Sequence, residues 1–386
     1  MIKKRKIKKK VFTFCLLFIL YLVSILSLGN YLLSREVPKI PKLKEEIKEN
    51  YPKYYQASMI ATGDALLHQA VYNDASNGDG TYNFLKQMEL IKPLIKNYDL
   101  AFYNQESIIG GKSLGLSTYP RFNSPDEIGD CMVGLGFNMV SLANNHTLDK
   151  NEEGVLYSTA YWKTKDVLTA GSYNSWEDRE EVRIKEKNNI KYTLLSYTTT
   201  TNGLLPPKGK EYLTNIYSDE KAKEDIEKLR NKVDLLIVSM HWGSEYTHVP
   251  TSEQTKIANY LASLGVDLII GHHPHVLQPI QYIDNTLVFY SLGNYISAQE
   301  GIERLTGVLV SFNITKQINE DQSSSISFSD IKADLIYTKY SNWRNFKVYP
   351  YAELNDDILY SYQKHYDKYK SILMEYDNTI QVTSLE

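Results

Sequence analysis

The sequence predicts an α/β fold with a buried β-sheet, preceded by an N-terminal transmembrane helix. From Ala57 to about Ser291, short apolar runs of strand length alternate with longer amphipathic stretches of helical length. This alternation is typical of α/β layers that bury a sheet. The uncharged run Val11–Leu33 comes before them. The chain has 386 residues, 42% of them hydrophobic, which is enough for one large domain.

The uncharged run Val11–Leu33 is long enough to cross a membrane, which takes about 20 apolar residues. Residues 1–10 carry seven Lys and Arg and no acid. We therefore expect a cytoplasmic N-terminus, a single membrane span and an extracytoplasmic remainder. A cleaved signal peptide is the alternative, with Ser27–Gly29 as its cleavage site. The apolar run is, however, longer than the usual signal core of about 7–15 residues.

The charge distribution limits the partners of the chain. The formal net charge is −3, and the seven cations of residues 1–10 leave −10 for the remainder. An acidic body argues against nucleic acid as a partner, because phosphate binding depends on clustered Lys and Arg. The two cysteines, Cys15 in the apolar run and Cys131 in the body, cannot pair within one chain, so we expect no internal disulfide.

The order of elements along the chain follows from composition and apolar pattern. Residues 34–56 are charged, contain three prolines and show no strand pattern, which predicts a stalk. Two helices are predicted at Lys221–Lys232 and Ser252–Leu264. Residues 313–386 are expected to add antiparallel strands and a terminal helix that complete the domain. The predicted strands are Met59–Ala61, Leu100–Asn104, Met139–Leu142, Tyr192–Tyr197, Leu235–Ser239, Leu268–Ile270 and Thr286–Ser291.

Polar and histidine residues follow five of these predicted strands. Open α/β sheets place their sites at the carboxyl ends of strands, where the loops converge. We therefore expect these side chains to meet at one edge of the sheet. In chain order they are Asp64 and His68; Asn104 and Glu106; Asn144, Asn145, His146 and Asp149; His241 and Glu245; His272, His273 and His275.

Carboxylates, amides and imidazoles on five loops match the ligand set of a dinuclear metal site, with Mn, Zn or Fe as the expected ions. His146, beside the metals, would protonate a leaving group or hold an oxyanion. Simpler explanations exist for single motifs, since Gly63-Asp64 alone could be a turn and Asn144-Asn145-His146 a helix cap. The His273-Pro274-His275 motif favours metal binding. A decayed site that binds no metal remains an alternative.

Six motifs in order resemble the CapA family of poly-γ-glutamate capsule biosynthesis proteins, which are related to calcineurin-like metallophosphoesterases. The resemblance implies a metallophosphatase-like sandwich of β-sheets flanked by helices over residues 57–312. It also implies a tether at the outer face of the membrane. The motifs are ATGD at 61–64, NQE at 104–106, LANNHTLDKNEEG at 142–154, HWGSEY at 241–246, GHHPHVLQP at 271–279 and YSLGNY at 290–295.

The resemblance implies a role for each matching position. His146 and Asp64 would be catalytic, with His146 as the general acid. Glu106 stands where an Asp usually bridges the metals, and His68 lies one turn beyond the usual Asp-x-His pattern. The implied metal ligands are Asp64, His68, Glu106, Asn145, His241, His273 and His275. The residues expected to support these ligands are Asn104, Asn144, Asp149, Glu245 and His272.

Three functions remain open from the sequence. The first is a metal-dependent hydrolase or transferase that acts on an anionic polymer at the cell surface. The second is a non-catalytic scaffold subunit that works with the membrane subunits of a capsule synthase and exporter. The third is a secreted metallophosphoesterase unrelated to capsule, which rests on the fold alone.

Overall fold

A computed structural model describes residues 2–34 and 51–385. The chain divides into two compact units, with the boundary between Asn50 and Tyr51. The N-terminal unit contains helix α1 (Ile2–Leu33). Its segment Arg5–Leu33 is long and apolar enough to be a membrane span or a signal anchor. Most of the predicted stalk, residues 35–50, lies outside the described residues.

The C-terminal unit contains all the strands found in the described residues. They are β1 (Lys53–Ala65), β2 (Leu100–Asn104), β3 (Met139–Ser141), β4 (Leu168–Ala170), β5 (Lys185–Lys187), β6 (Ile190–Thr198), β7 (Leu235–His241), β8 (Leu268–His272), β9 (Ile280–Ile283), β10 (Thr286–Phe289), β11 (Asn294–Ile296), β12 (Thr306–Ile318), β13 (Ser324–Ser341), β14 (Arg344–Pro350) and β15 (Gln381–Val382).

The helices of this unit connect or flank the strands. They are α2 (Gln69–Asp74), α3 (Leu85–Met88), α4 (Lys92–Ile95), α5 (Glu127–Leu135), α6 (Asn151–Lys163), α7 (Trp176–Glu180), α8 (Asp219–Leu229), α9 (Ser252–Ser263), α10 (Ile302–Leu305) and α11 (Tyr362–Leu373). Side-chain caps fix the starts of two of them. The Ser218 hydroxyl accepts from the backbone of α8, and Thr251 and Gln254 form a reciprocal capping box at α9.

The strands form two mixed sheets. The first has the order β14-β13-β12-β1-β2-β3-β4, in which β1 to β4 are parallel and β12 to β14 are antiparallel. Strand β11 pairs with the end of β1, and β15 pairs with β13. The second sheet has the order β5-β6-β7-β8-β10-β9, with β6, β7, β8 and β10 parallel.

The two sheets pack face to face, with helices on both outer faces. One apolar core joins Phe102 of β2 to Ile237 of β7 and Phe289 of β10, and therefore lies between the sheets. A second core packs Met132 of α5 against the outer face of the first sheet. A third packs Leu261 of α9 against the second sheet. The predicted layered α/β fold with helices flanking the sheets is confirmed.

The predicted strands all lie within or overlap observed strands. In β2, Leu100 and Phe102 enter the core between the sheets, whereas Ala101 and Tyr103 enter the core under the helices. Burial on both faces explains why this strand is a continuous apolar run. Strand β1 starts at Lys53, inside the segment expected to be a stalk, because Lys53–Gln56 pair with the end of β12. Residues 313–386, expected to add antiparallel strands and a helix, contain the end of β12 and all of β13, β14 and α11. Strands β12 to β14 pair antiparallel, whereas the short β15 pairs parallel with β13.

Strand register brings the polar residues at the strand ends together. Asp64 of β1 lies beside Asn104 of β2 and Asn294 of β11, and His241 of β7 lies beside His272 of β8. The pairing of β1 with β11 requires a close approach of two glycine backbones. A Cβ added to Gly63 would lie 1.7 Å from the carbonyl oxygen of Gly293. Glycine at position 63 thus allows Asp64 to lie beside β11.

Candidate metal centre

Glu106 lies in the middle of the candidate centre. Its side chain is fully buried, and its Oε1 lies 3.7 Å from Nε2 of His241 and 3.6 Å from Nε2 of His275. Neither carboxylate oxygen has a hydrogen-bond partner among the described residues. A buried polar group without a partner is rare and costs stability, and the two free oxygens of Glu106 therefore favour a ligand at this position.

Glu106, His273 and His275 form a cluster that could hold a metal ion. One ligand atom from each of the three buried side chains lies within 4.8 Å of the others. Nδ1 of His273 and Nδ1 of His241 also have no hydrogen-bond partner among the described residues. The donor set, imidazole nitrogen with carboxylate oxygen, suits a divalent transition metal. The residues present therefore fit a metal ion.

Asp64 lies beside His275 in this centre. Its Oδ1 accepts a 2.8 Å hydrogen bond from Asn104, and its Oδ2 lies 3.4 Å from Nδ1 of His275. Oδ1 also lies 3.4 Å from Nδ1 of His272, and the backbone N–H of His273 donates to Oδ2. Burial raises the pKa of Asp64, but the neighbouring histidines and Asn104 outweigh burial and hold it below its ordinary value.

Asn145 lies beside His241 in this centre. Its Oδ1 is 2.9 Å from Nε2 of His241, and the His241 ring lies 4.7 Å from that of His273. Asn145 follows a strand of the first sheet and His241 ends a strand of the second. Both sheets thus contribute to the same cluster of donors, since Asn145 contacts His241, and His241 and His273 lie beside Glu106.

Asn294 is a contact that the sequence-based ligand set did not include. Its Oδ1 lies 3.0 Å from Nδ1 of His275, and its Nδ2 donates to Gln299 and to the carbonyl of Arg304. Because the amide nitrogen is thus committed, the amide oxygen accepts from Nδ1 of His275. This leaves Nε2 of His275 free to face Glu106. The YSLGNY motif, with its amide at a strand end, was the available signal.

The loop that carries His273 and His275 is strained. Their φ angles are +96° and +56°, a region that side chains other than glycine rarely adopt. Both side chains are buried, so the strain cannot be explained by an exposed turn. Strain of this kind persists only where surrounding contacts enforce it, and it clusters at functional sites. It therefore supports a binding role for this loop.

Burial and neighbouring charges change the titration of the centre. Burial lowers the pKa of His241 well below its ordinary value and that of His273 to about 4. Burial also lowers the pKa of His275, but Glu106 and Asp64 outweigh it and raise that pKa to about 9. Burial raises the pKa of Glu106 well above its ordinary value, although His275 opposes it. His241 and His273 are thus neutral at neutral pH, the form that binds metal.

His146 and Asp149 form a hydrogen-bonded pair beside the centre. Nδ1 of His146 lies 2.6 Å from Oδ2 of Asp149, which also accepts from the backbone N–H of Phe122. The Phe122 ring packs edge-on against the imidazole at 4.6 Å. Asn144 orients the same loop, since its amide donates to the carbonyl of Gln105 and its oxygen accepts from the backbone of His146. These contacts fix the position of the His146 ring.

Two residues that the sequence associated with the centre lie at its edge. Nδ1 of His68 contacts the Leu66 carbonyl and the backbone N–H of Ala298, and His68 is not part of the Glu106 cluster. Its metal-ligand role stays a prediction. Burial lowers the pKa of His68 to about 4. Glu245 is exposed at the mouth of the site.

A cleft of about 530 Å³ leads to the centre from solvent. Its walls include His146, His275 and Asn145, so a substrate in the cleft can reach the buried cluster. Its outer walls include Tyr119, Arg121, Phe122, Glu245 and Tyr246.

Fold and site together define a layered α/β protein with a buried histidine–carboxylate centre at its strand ends. The chain belongs to the family of bacterial capsule synthesis proteins called PGA_cap, whose match spans residues 58–299. This match confirms the resemblance inferred from the six sequence motifs.

Curated relatives carry related names. The chain is 27% identical over 194 residues to the PGA biosynthesis protein CapA of Bacillus subtilis, a match that covers 47% of this chain and 48% of that protein. It is 26% identical over 272 residues to the capsule biosynthesis protein CapA of Bacillus anthracis, covering 67% and 64%. It is 33% identical over 69 residues to a probable polyglutamine synthesis accessory protein of Mycobacterium tuberculosis, covering 18% of each. The chain thus spans from about half to somewhat under two thirds of the length of the two Bacillus relatives.

Proposed function

We propose that this chain acts in the biosynthesis or export of a poly-γ-glutamate capsule and carries a dinuclear metal site. The family and the names of the Bacillus relatives support the capsule role. The observation that carries the metal site is Glu106, a buried carboxylate with two unpaired oxygens between His241 and His275. The fold would be metallophosphatase-like.

Two divalent cations would be held by six of the predicted ligands, which are Asp64, Glu106, Asn145, His241, His273 and His275. Of these, Glu106, His273 and His275 lie close enough together to hold one ion between them. Manganese, zinc and iron all accept this mixture of carboxylate, amide and imidazole ligands. When bound, such ions lower the pKa of water towards neutrality and polarise a carbonyl or phosphoryl oxygen.

His146 would exchange the proton of the reaction. The Asp149 carboxylate accepts from Nδ1 of His146, so the proton stays on Nδ1 and Nε2 is the nitrogen left for the substrate. Phe122 holds Asp149 through its backbone N–H and packs against the imidazole. Nε2 of this fixed ring, at the wall of the cleft, can first take up a proton and then deliver it to a leaving amine. The substrate would be an amide of an anionic polymer.

The N-terminal helix would place this chemistry outside the cell. Seven cations precede the apolar segment, which favours a cytoplasmic N-terminus. The helix would anchor the chain, single-pass, beside the membrane subunits of the capsule synthase and exporter. Its substrate would then be a polymer that emerges at the outer face of the membrane.

Complementation of cells that lack this protein tests the proposal. The wild-type chain should restore surface polyglutamate, and a His241→Ala/His275→Ala double variant should fail although it is present at the same level. His365→Ala is the matched control, because His365 lies on α11 and outside the cluster. It should restore the polymer fully.

Two outcomes would favour the other functions. If the double variant restores the polymer, the chain acts as a scaffold and the metal site is dispensable. If the wild-type chain hydrolyses phosphodiesters but does not affect the polymer, the chain is a metallophosphoesterase unrelated to capsule.

A further inference from the structure

We propose that Arg121 binds a carboxylate of the substrate chain at the mouth of the cleft and gives the site its preference for an anionic polymer. This inference rests on the proposed function, because it concerns the substrate of the same site. Arg121 lies on the wall of the 530 Å³ cleft that also exposes His146 and His275. No other Lys or Arg of the described residues lines that cleft.

Arg121 is exposed, and among the described residues its guanidinium makes no ion pair and no hydrogen bond. Two other arginines of the body are paired, since Arg179 pairs with Asp225 and Arg230 pairs with Asp267. An unpaired guanidinium at the entrance of a site offers planar donors that match the two oxygens of a carboxylate.

The backbone beneath Arg121 is fixed, so its side chain starts from a defined position. Ser117 and Asn123 exchange backbone hydrogen bonds and close the loop between them. The Ser117 hydroxyl donates to the carbonyl of Arg121 at 2.7 Å. The next residue, Phe122, donates its N–H to Asp149, the same carboxylate that holds His146. These contacts therefore fix the backbone of Arg121 relative to His146, the proposed proton donor.

The rest of the mouth suits a chain with both apolar and acidic parts. Tyr119 is 74% exposed and Tyr246 is 47% exposed, and both rings line the cleft. They can cover the methylene groups of an extended polyamide. Glu245, also on the wall, repels anions, so it directs a carboxylate towards Arg121. A γ-linked glutamate chain has one free carboxylate for each repeat.

The test compares binding of two short oligomers of equal length to the full chain in detergent. One oligomer is γ-linked glutamate, and the other is its uncharged γ-linked glutamine counterpart. Binding is measured in chelator, so a failure of the metal proposal does not affect the result. The variants are Arg121→Gln and Arg121→Lys. Arg344→Gln is the matched control, because Arg344 is also exposed, forms no ion pair within the described part of the chain and lines a different cleft.

Wild type and Arg344→Gln should prefer the glutamate oligomer. Arg121→Gln should lose about tenfold in affinity for it, the scale of one charge-assisted hydrogen-bonded contact, with no change for the glutamine oligomer. Arg121→Lys should recover only part of the preference, since it keeps the charge but not the planar donors. An unchanged preference in Arg121→Gln, or no preference in wild type, would overturn the proposal. Binding of inorganic phosphate through Arg121 without a preference for the glutamate oligomer would also overturn it.

Discussion

Oε1 of the buried Glu106 side chain lies 3.6 Å from Nε2 of His275, and neither oxygen of this carboxylate has a hydrogen-bond partner among the described residues. A carboxylate in this position costs stability in the metal-free protein. A bound cation would compensate it. The same residue should therefore destabilise the metal-free protein and stabilise the metal-bound one.

The effect of Glu106→Gln on stability should change sign when metal is added. In chelator at neutral pH the variant should have a larger free energy of unfolding than wild type, because burial raises the pKa of Glu106 and the folded state resists its ionisation. The gap should narrow as pH falls towards the ordinary value of 4.5, where the unfolded state also becomes protonated. With Mn²⁺ or Zn²⁺ the wild type should become the more stable protein. Urea unfolding measures the free energy of unfolding of wild type and variant with and without metal. Equal metal stabilisation of the two proteins would contradict the role of Glu106.

Asn294→Ala should weaken metal binding without unfolding the chain. Asn294 accepts from Nδ1 of His275 and so keeps Nε2 directed at Glu106. Loss of such a supporting contact lowers metal affinity by about 10–100-fold. Asn313→Ala is the control, because Asn313 is exposed on β12 and its side-chain amide donates to Asp330. Titration with Zn²⁺ measures both affinities, and equal values would show that Asn294 does not orient the ligand.

Asp149→Asn should separate proton transfer from metal binding. The backbone N–H of Phe122 would take the amide oxygen of the new side chain, so its NH₂ group would face Nδ1 of His146. The proton of His146 would then move to Nε2, the wrong nitrogen for a proton acceptor. Turnover of a γ-linked glutamate oligomer should fall by about 100-fold or more, with the metal content unchanged. A loss of metal, or an unchanged rate, would contradict the role of this pair.

His68 should make the metal-free protein less stable in acid. Burial lowers its pKa from 6.5 to about 4, so the folded state holds this ring neutral while the unfolded state protonates it. The stability that the neutral His68 ring contributes is present above pH 6.5 and is lost as the pH falls towards 4. His68→Asn should therefore reduce the slope of unfolding free energy in this range by about 1.4 kcal/mol per pH unit. Parallel curves for wild type and His68→Asn, measured by urea unfolding in chelator, would contradict this assignment.

Gly63→Ala should destabilise the domain more than a helical glycine substitution does. The added methyl group would lie 1.7 Å from the Gly293 carbonyl oxygen, so β1 and β11 must separate and Asp64 must move. Gly134→Ala is the control, because Gly134 lies in α5 with nothing within 4 Å of its added Cβ. It should gain up to about 1 kcal/mol from helix propensity. Thermal unfolding separates the two, and a Gly63→Ala protein as stable as wild type would contradict the close approach.

The predictable part of the fold comes from burial on both sides of the sheets. Leu100 and Phe102 enter one core while Ala101 and Tyr103 enter another, so the strand is apolar throughout its length and its pattern is strong. The start of β1 was not predicted. Lys53 is polar and lies in a strand only because it pairs with Ile318, a residue far along the chain.

The candidate site, like the fold, could be predicted from the sequence only in part. The residues at the strand ends could be named, because carboxyl ends of parallel strands converge. Spacing could not show that Glu106 lies between His241 and His275, since that depends on how two separate sheets pack. Spacing also could not show the surroundings of His68, which precedes α2 with an extended backbone and packs on Phe122.

Elemental analysis of the full chain tests the central claim most directly. Wild type purified without chelator should contain two transition-metal ions per chain, and the His241→Ala/His275→Ala variant should contain none while remaining folded. A folded wild-type chain that contains no metal, and whose unfolding is unchanged by Mn²⁺ or Zn²⁺, would contradict the metal centre.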